Sequence, residues 1–304
     1  MRILIPGATG TLGKELLRQL TDANKTVQNN QVNLPSDQLY VLSRDELKQQ
    51  QLKKEFPHAR FIIGDIRNYD SLRHTICKIK PEVIFHAAAL KHVDVVEENV
   101  NEGMLTNYQG VVNTHRAAQE AGCKVMALSS TDKAVLPINA YGHSKALAEK
   151  YLFSTSDHGL TNIVFRYGNV LGSRGSVIHS FAKTLIEEKK IYITDHRMTR
   201  FWIPIEKAVG FMIERTRQVY NGQLDGDDIS RPLIPDIKAL PVIEIARLVA
   251  QVVGVTDFTI DEIGLRAGEK IHELLYSSHE HCISSETAPQ CDVEEIKTYI
   301  EGVL

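Results

Sequence analysis

Arg2-Ile3-Leu4-Ile5-Pro6-Gly7-Ala8-Thr9-Gly10-Thr11-Leu12-Gly13 decides the fold. A short apolar run breaks into three glycines spaced GxxGxxG and then into an amphipathic stretch over 11–21. Glycines at such a junction permit a tight turn and let backbone amides approach a pyrophosphate at the helix start. The alternative is a purely structural turn between strand and helix. The position of the loop at the first such junction of the chain favours dinucleotide binding.

Outward from this loop, β-rich runs alternate with amphipathic segments. Strands are expected at Arg2–Pro6, Leu39–Leu42, Arg60–Ile63, Glu82–Phe85, Lys124–Leu128 and Asn162–Arg166, with helices near 11–21, 45–55, 69–79, 102–121 and 139–157. Nearly continuous apolar strands separated by helices imply a parallel sheet covered on both faces, an α/β doubly wound (Rossmann) fold. Asn24–Asp37, polar and containing Pro35, reads as an inserted surface loop. Past Gly168 the alternation weakens to helices near 176–189, 206–219 and 241–253, strands at Ile191–Thr194 and Pro235–Leu240, and a turn-rich break at Gly222–Asp228. The expected organisation is a dinucleotide-binding domain over 1–167 with a return segment at about 200–230. A smaller α/β substrate-binding region would take 168–199 and 231–304.

The chain has 304 residues, 43% of them hydrophobic, and a formal charge of −3. That balance offers no electrostatic grip on nucleic acid or anionic membrane. No apolar run approaches the roughly 20 residues of a transmembrane helix, and the glycine loop follows too closely on Met1 for a secretory leader. Cys77, Cys123, Cys282 and Cys291 are scattered, as expected of reduced thiols in a cytoplasm. His279-Glu280-His281-Cys282 lies in a polar stretch and reads as a solvated loop, so no metal is expected.

Two further places carry chemistry. The second strand ends in Ser43-Arg44-Asp45, where an acidic residue suits the ribose hydroxyls of NAD and Arg44 with Ser43 suits the 2′-phosphate of NADP. NADP is the favoured cofactor with NAD possible, against a plain helix start with solvated charges. Asp65, after the third strand, reads as an acceptor for the adenine amino group or as a helix cap. Ser129-Ser130-Thr131 leaves the fifth strand, and Tyr141 and Lys145 share one face of the following helix at i, i+4. There the ammonium depresses the phenol pKa, which makes Tyr141 a usable base for a hydroxyl while Thr131 hydrogen-bonds the same oxygen.

Joined together, the glycine loop, the Ser/Thr strand end and the YxxxK helix resemble an extended short-chain dehydrogenase/reductase. Longer pieces narrow the resemblance to the UDP-N-acetylglucosamine 4,6-dehydratases. They are His86-Ala-Ala-Ala-Leu-Lys91-His-Val, Ser130-Thr-Asp-Lys-Ala, Asn139-Ala-Tyr-Gly, Arg166-Tyr-Gly-Asn-Val-Leu-Gly-Ser-Arg-Gly-Ser-Val177, Thr194-Asp-His-Arg-Met-Thr-Arg-Phe-Trp-Ile203 and Gly264-Leu-Arg-Ala-Gly-Glu-Lys-Ile-His-Glu273. Together with Ser43-Arg-Asp-Glu-Leu-Lys48 they extend over nearly the full chain. Chain length, Tyr141 and the absence of a membrane segment make it similar to the branch that inverts C5. The products of that branch feed pseudaminic acid, capsules and other surface glycans.

The resemblance implies catalytic roles for Thr131, Asp132, Lys133, Tyr141 and Lys145. Lys133 would remove the C5 proton as a neutral amine while Asp132 protonates the departing C6 oxygen, and the C4 hydride would return to C6. It implies cofactor contacts at Gly7, Thr9, Gly10, Thr11, Leu12, Gly13, Ser43, Arg44, Asp45, Lys48, Asp65, Ile66, Ala87, Ala88, Ala89, Lys91, Tyr141, Lys145 and Val170. The UDP-sugar would meet Lys91, Asn169, Arg174, Gly175, Ser176, Val177, Ile178, Arg200 and Arg266. Trp202 and Phe201 read as core rather than uracil-stacking residues. His143, Asp94 and Ala267 depart from the family pattern without removing a catalytic group. A homo-oligomer, dimer to hexamer, is expected, with Val93–Ala121 as a candidate contact. The competing readings are a C5-retaining dehydratase, a dehydratase or epimerase acting on another UDP-hexose, a 4-epimerase in which Asp132-Lys133 has no task, and a non-catalytic NADP-binding sensor or scaffold.

Overall fold

A computed structural model describes residues 1–29, 38–155, 159–173, 175–278 and 282–304, with side chains of the first helix described up to Ala23. The chain divides into two compact units. The first comprises Met1–Ser130, Ala140–Arg166 and Val209–Leu233; the second comprises Thr131–Asn139, Tyr167–Ala208 and Ile234–Leu304.

The first unit is built on β1 (Arg2–Pro6), α1 (Thr11–Asn29), β2 (Gln38–Ser43), α2 (Glu46–Glu55), β3 (Arg60–Ile63), α3 (Tyr69–Ile79) and β4 (Val83–His86). It continues through α4 (Val93–Glu98), α5 (Val100–Met104), a π-helical turn at Leu105–Gln109, α6 (Gly110–Glu120), β5 (Val125–Ser129), α7 (Ala140–Ser154) and β6 (Thr161–Phe165). All six strands are parallel, in the order β3-β2-β1-β4-β5-β6. This is the doubly wound Rossmann arrangement expected from the sequence. The strand order reverses between β1 and β4, so their carboxyl ends, Gly7–Gly13 and Ala87–Lys91, flank the crevice where such sheets take ligands. Leu4, Leu42, Ile84, Met126, Leu128 and Val164 line the sheet interior.

Two helices depart from expectation. α1 runs through Asn29, so 24–29 is helix and not loop: the segment holds neither Gly nor Pro, and polar side chains alone do not stop a helix. The rest of the expected loop, 30–37 with Pro35, lies outside the described residues. The single helix expected over 102–121 is interrupted by the π turn, a feature frequent at functional sites.

The second unit contains β7 (Asn169–Leu171), α8 (Val177–Glu188), β8 (Lys190–Ile193), β9 (Thr199–Pro204) and the start of α9 (Ile205–Tyr220), which joins the first unit from Val209 on. β10 (Lys238–Pro241), α10 (Val242–Val252), β11 (Thr259–Glu262), β12 (Leu274–Ser277), β13 (Cys282–Ser284) and α11 (Val293–Val303) complete it. β10, β9 and β7 form one small sheet, β11 with β8 and β12 with β13 two ribbons. Trp202 is buried with Ile178, Leu185, Ile245 and Ile300, and Phe201 is fully buried, so both aromatics are core. Among the described residues, no helix is long and apolar enough to cross a membrane. His279, Glu280 and His281 lie outside the described residues, as does Arg174.

Candidate active site

In the first unit, the glycine loop is fixed by backbone geometry. Gly7 has φ +86°, and a Cβ there would lie 2.5 Å from the amide nitrogen of Ala88. Only glycine lets the end of β1 approach the β4 exit this closely. Gly7 N donates to Leu42 O at 2.8 Å and Ala87 N to Pro6 O at 3.0 Å, which ties the three strand ends together. At Gly13 a Cβ would lie 2.6 Å from Gly7 O, so the first turn of α1 seats on the loop. This cradle fits a dinucleotide: a pyrophosphate placed at Gly10–Gly13 meets backbone donors and the positive end of the α1 dipole.

The end of β2 is occupied as follows. Ser43 is buried, its hydroxyl accepting from Gln49 Nε2 at 2.9 Å. Asp45 is the N-cap of α2, accepting from Lys48 N, and pairs with Lys48 Nζ at 2.8 Å. Arg44 is half exposed, 3.9 Å from Asp65. Asp65 does not cap α3; Asn68 does. Instead Asp65 is clasped by Arg67, whose Nε and Nη2 lie 2.9 and 2.6 Å from Oδ2. Burial alone would raise the Asp65 pKa, but the Arg67 hydrogen bonds and charge, with Arg44 behind, hold it below the ordinary carboxylate range. Ile66 is buried, and its carbonyl accepts from Asn113 Nδ2 at 3.0 Å.

Past β4, Ala87 and Ala88 are half-buried, while Ala89 and Lys91 are exposed. Asn107, in the π turn and fully buried, fastens this segment. Its Oδ1 accepts from Leu90 N at 2.8 Å, and its Nδ2 donates to Leu90 O at 3.0 Å and Ser144 Oγ at 3.1 Å. Asn107 was not among the expected site residues, and nothing local sets it apart from Gln109, Asn113 and Gln119 in the same stretch.

On α7, Tyr141 and Lys145 are both buried, and Lys145 Nζ donates to Ser129 O at 2.7 Å. Burial lowers the Lys145 pKa to about 8, against the opposing charge of Glu149 one turn on. Glu149 is itself buried and gripped by Arg166, whose Nε lies 3.0 Å from each carboxylate oxygen, with the Ser130 hydroxyl as a further donor. His86 is buried with neither ring nitrogen hydrogen-bonded. Burial and then the Lys145 charge push its pKa down to about 3, so the imidazole is neutral. His143 is exposed.

The second unit holds the other half of the expected set. Thr131 caps a 3₁₀ turn at Asp132–Ala134; its hydroxyl donates to Asp132 Oδ1 at 2.8 Å and accepts from Lys133 N. Lys133 Nζ donates to the same Oδ1 at 3.1 Å, whereas the buried Oδ2 has no hydrogen-bond partner. Gly168 leaves room for that carboxyl: a Cβ there would sit 3.2 Å from Oδ2. Glu273, from the 264–273 segment and unassigned at the sequence level, lies 3.4 Å from Lys133 Nζ and is almost wholly buried. Burial raises its pKa, opposed first by Lys133. Lys270, its pKa lowered by burial, lies 3.8 Å from Glu273 Oε2 and donates to Val135 O.

Arg200, expected at the UDP-sugar, is held by the backbone around it. It is buried, and its guanidinium donates to the carbonyls of Thr199, Lys270 and Ile271 at 2.7, 2.9 and 3.0 Å. Its donors thus brace backbone. Arg266 and Gly175 are exposed, while Asn169, Val170, Ser176 and Val177 are half-buried and Ile178 is in the core.

A family model described as polysaccharide biosynthesis protein matches residues 3–294. The chain is 36% identical over 292 residues to the inverting UDP-N-acetylglucosamine 4,6-dehydratase of Campylobacter jejuni, covering 93% of this chain and 80% of that one. It is 34% identical over 286 residues to a UDP-glucose 4-epimerase of Rickettsia bellii, covering 91% and 78%. The solved structure of Pen from Bacillus thuringiensis is similar with a TM-score of 0.83 and 28% identity, covering 100% of this chain and 98% of that one.

Proposed function

The chain belongs to the polysaccharide biosynthesis protein family, and from that premise we propose that it is a UDP-N-acetylglucosamine 4,6-dehydratase that inverts C5. The observation that carries the reading is the pair of buried Asp132 and half-buried Lys133, 3.1 Å apart in one turn directly after Thr131. A 4-epimerase needs a base for the 4-hydroxyl and a hydride acceptor. Only an elimination also needs an acid for O6 and a base for the C5 proton.

When bound, a nicotinamide dinucleotide supplies a hydride acceptor for C4 and a donor for C6. Tyr141 takes the O4 proton, helped by the Lys145 ammonium, with Thr131 as second partner of that oxygen. The C4 ketone acidifies the C5 proton. Before elimination the proton shared by Asp132 and Lys133 moves to the carboxyl, which needs only the 3.1 Å transfer between them. The proton arrives on Oδ1, the oxygen that faces Lys133 Nζ. Lys133 then removes the C5 proton as Asp132 protonates the leaving hydroxyl, and water departs. The opposite face of C5 is protonated last.

NADP is the proposed cofactor, with Arg44 and Ser43 reading the 2′-phosphate and Ala87–Ala89 and Val170 lining the remainder. Lys91, Asn169, Arg174–Ile178 and Arg266 are assigned to the UDP-sugar. Arg200 is reassigned to hold the 270–271 backbone on β9. The test is proton NMR of UDP-N-acetylglucosamine with enzyme in D₂O. A new C6 methyl, deuterium at C5 and L-arabino couplings are expected. D-xylo couplings would discard the inversion. A C4 epimer without a methyl would favour the second reading, suggested by the Rickettsia relative, and no turnover with cofactor bound would discard both.

A further inference from the structure

The second unit buries more charge than a lysine base and one acid require. Lys133 Nζ is flanked by two carboxylates, Asp132 Oδ1 at 3.1 Å and Glu273 Oε1 at 3.4 Å. Glu273 is also rigidly mounted: its amide donates to Ser285 Oγ and its carbonyl accepts from Ser285 N, both at 2.9 Å. The charged groups facing it are Asp132, Lys133, Lys270 and Arg200. A buried ion-pair network of this kind adds little to stability against well-packed apolar residues, because desolvation offsets the attraction. Its presence calls for another explanation.

Resting on the dehydratase reading, we infer that Glu273 is the positioning carboxylate of the elimination step, aiming Lys133 and stabilising the ammonium that forms as it takes the C5 proton. At the start of that step Asp132 is protonated and neutral, so the anion facing Nζ is Glu273, whose charge Arg200 and Lys270 favour against its burial. The arrangement follows the logic of a base oriented by a third group. No proton leaves Glu273. The C5 proton goes to Lys133, the Asp132 proton leaves as water with the C6 hydroxyl, and Lys133 then reprotonates Asp132. Because the anion is preorganised and desolvated, it stabilises the charged transition state without reorganising.

The test is Glu273→Gln, which keeps shape and removes charge. Oxidation at C4, read as reduced cofactor at 340 nm, stays within about twofold, while methyl formation falls about 10- to 100-fold, the scale of one charge-assisted hydrogen bond. Removing a neighbouring negative charge weakens proton binding by the Lys133–Asp132 pair, so both limbs of the pH profile of methyl formation move to lower pH. Glu273→Asp, which restores the charge, moves both limbs back. A loss of rate with unshifted limbs, or an equal loss of C4 oxidation, would overturn the inference. Titration of ¹³C-methylated Lys133 by NMR needs no turnover: the variant should titrate at lower pH than the parent, and an unchanged titration overturns the inference whatever the activity. An inactive parent whose Lys133 does shift would sink the dehydratase reading and leave the charge coupling standing.

Discussion

Lys145→Met is expected to stabilise the protein near neutral pH by an amount that shrinks as pH rises. The folded protein holds the Lys145 pKa at about 8 against an ordinary 10.5, chiefly through burial. A fall of about 2.5 corresponds to about 3 kcal/mol, at ~1.4 kcal/mol for each pKa unit. Its sign follows from proton counting. Below pH 8 both states are protonated, and folding must drag the ammonium out of water, so the full penalty applies. Between pH 8 and 10.5 the unfolded chain binds more protons than the folded one, and stability rises with pH. At pH 7 the penalty is about 3 kcal/mol, and at pH 10 it is below about 1 kcal/mol. Methionine carries no such penalty, while loss of the hydrogen bond to Ser129 O offsets part of its gain equally at both pH values. Urea denaturation of parent and variant at pH 7 and 10 reads the difference, and other titrating groups cancel. The advantage of the variant should narrow by about 2.5 kcal/mol over that range. A gap independent of pH refutes the reasoning. The same lysine predicts an alkaline limb in kcat/KM near pH 8, where its ammonium ceases to assist Tyr141.

Three further outcomes follow from individual side chains. Lys133→Met should abolish methyl formation while reduced cofactor still accumulates at 340 nm on adding sugar nucleotide; substantial methyl product would remove Lys133 from the base role. Arg44→Ala should weaken NADP binding by about 10- to 100-fold, the scale of a charged hydrogen bond, and leave NAD nearly unchanged in calorimetric titration. Equal losses would mean that Arg44 does not read the 2′-phosphate. Arg166→Met strands the buried Glu149 carboxylate and should cost about 3–5 kcal/mol in chemical denaturation. A loss under 1 kcal/mol would show that Glu149 is neutral or finds water.

The central sheet was legible because its inner strands are buried on both faces and its edge strand β3 keeps the apolar run Phe61–Ile63. Arg2–Pro6 and Arg60–Ile63 match the expected strands residue for residue, and the Gly7 turn marks the first junction unmistakably. Less legible was whatever depends on the partner of a side chain. The placement of Glu273 beside Lys133 joins residues 140 positions apart, and no local pattern announces it. The bracing of Arg200 on three backbone carbonyls was equally hidden, because a free guanidinium and one held by carbonyls are the same letter. The strands β7, β11, β12 and β13 have only three or four residues each, and they lack the regular strand–helix alternation that marks the equally short β3 and β4. Asn107 escaped because a π turn needs one residue more than the helical period on which the reading relied.

Where the buried and half-buried charges lie also bears on what the fold is for. In the first unit, Lys145, Glu149 and Arg166 sit at the end of β5 and along α7; in the second, Asp132, Lys133, Lys270, Glu273 and Arg200 gather about a single turn. Elsewhere the charged side chains pair mostly on the surface, as Lys14 does with Glu55 and Lys183 with Glu187, where exchange with water makes each pair worth little. Desolvated charge weakens a fold unless every member is paired, and here the pairing is deliberately incomplete. Asp132 Oδ2 and Glu273 Oε2 keep no hydrogen-bond partner, and burial lowers the pKa of both Lys145 and Lys270. A purely structural network would close those gaps. In the second unit, an acid and a base left able to exchange a proton in the turn that also carries Thr131 are what a stepwise removal of water needs, and stability is the quantity given up to keep them so.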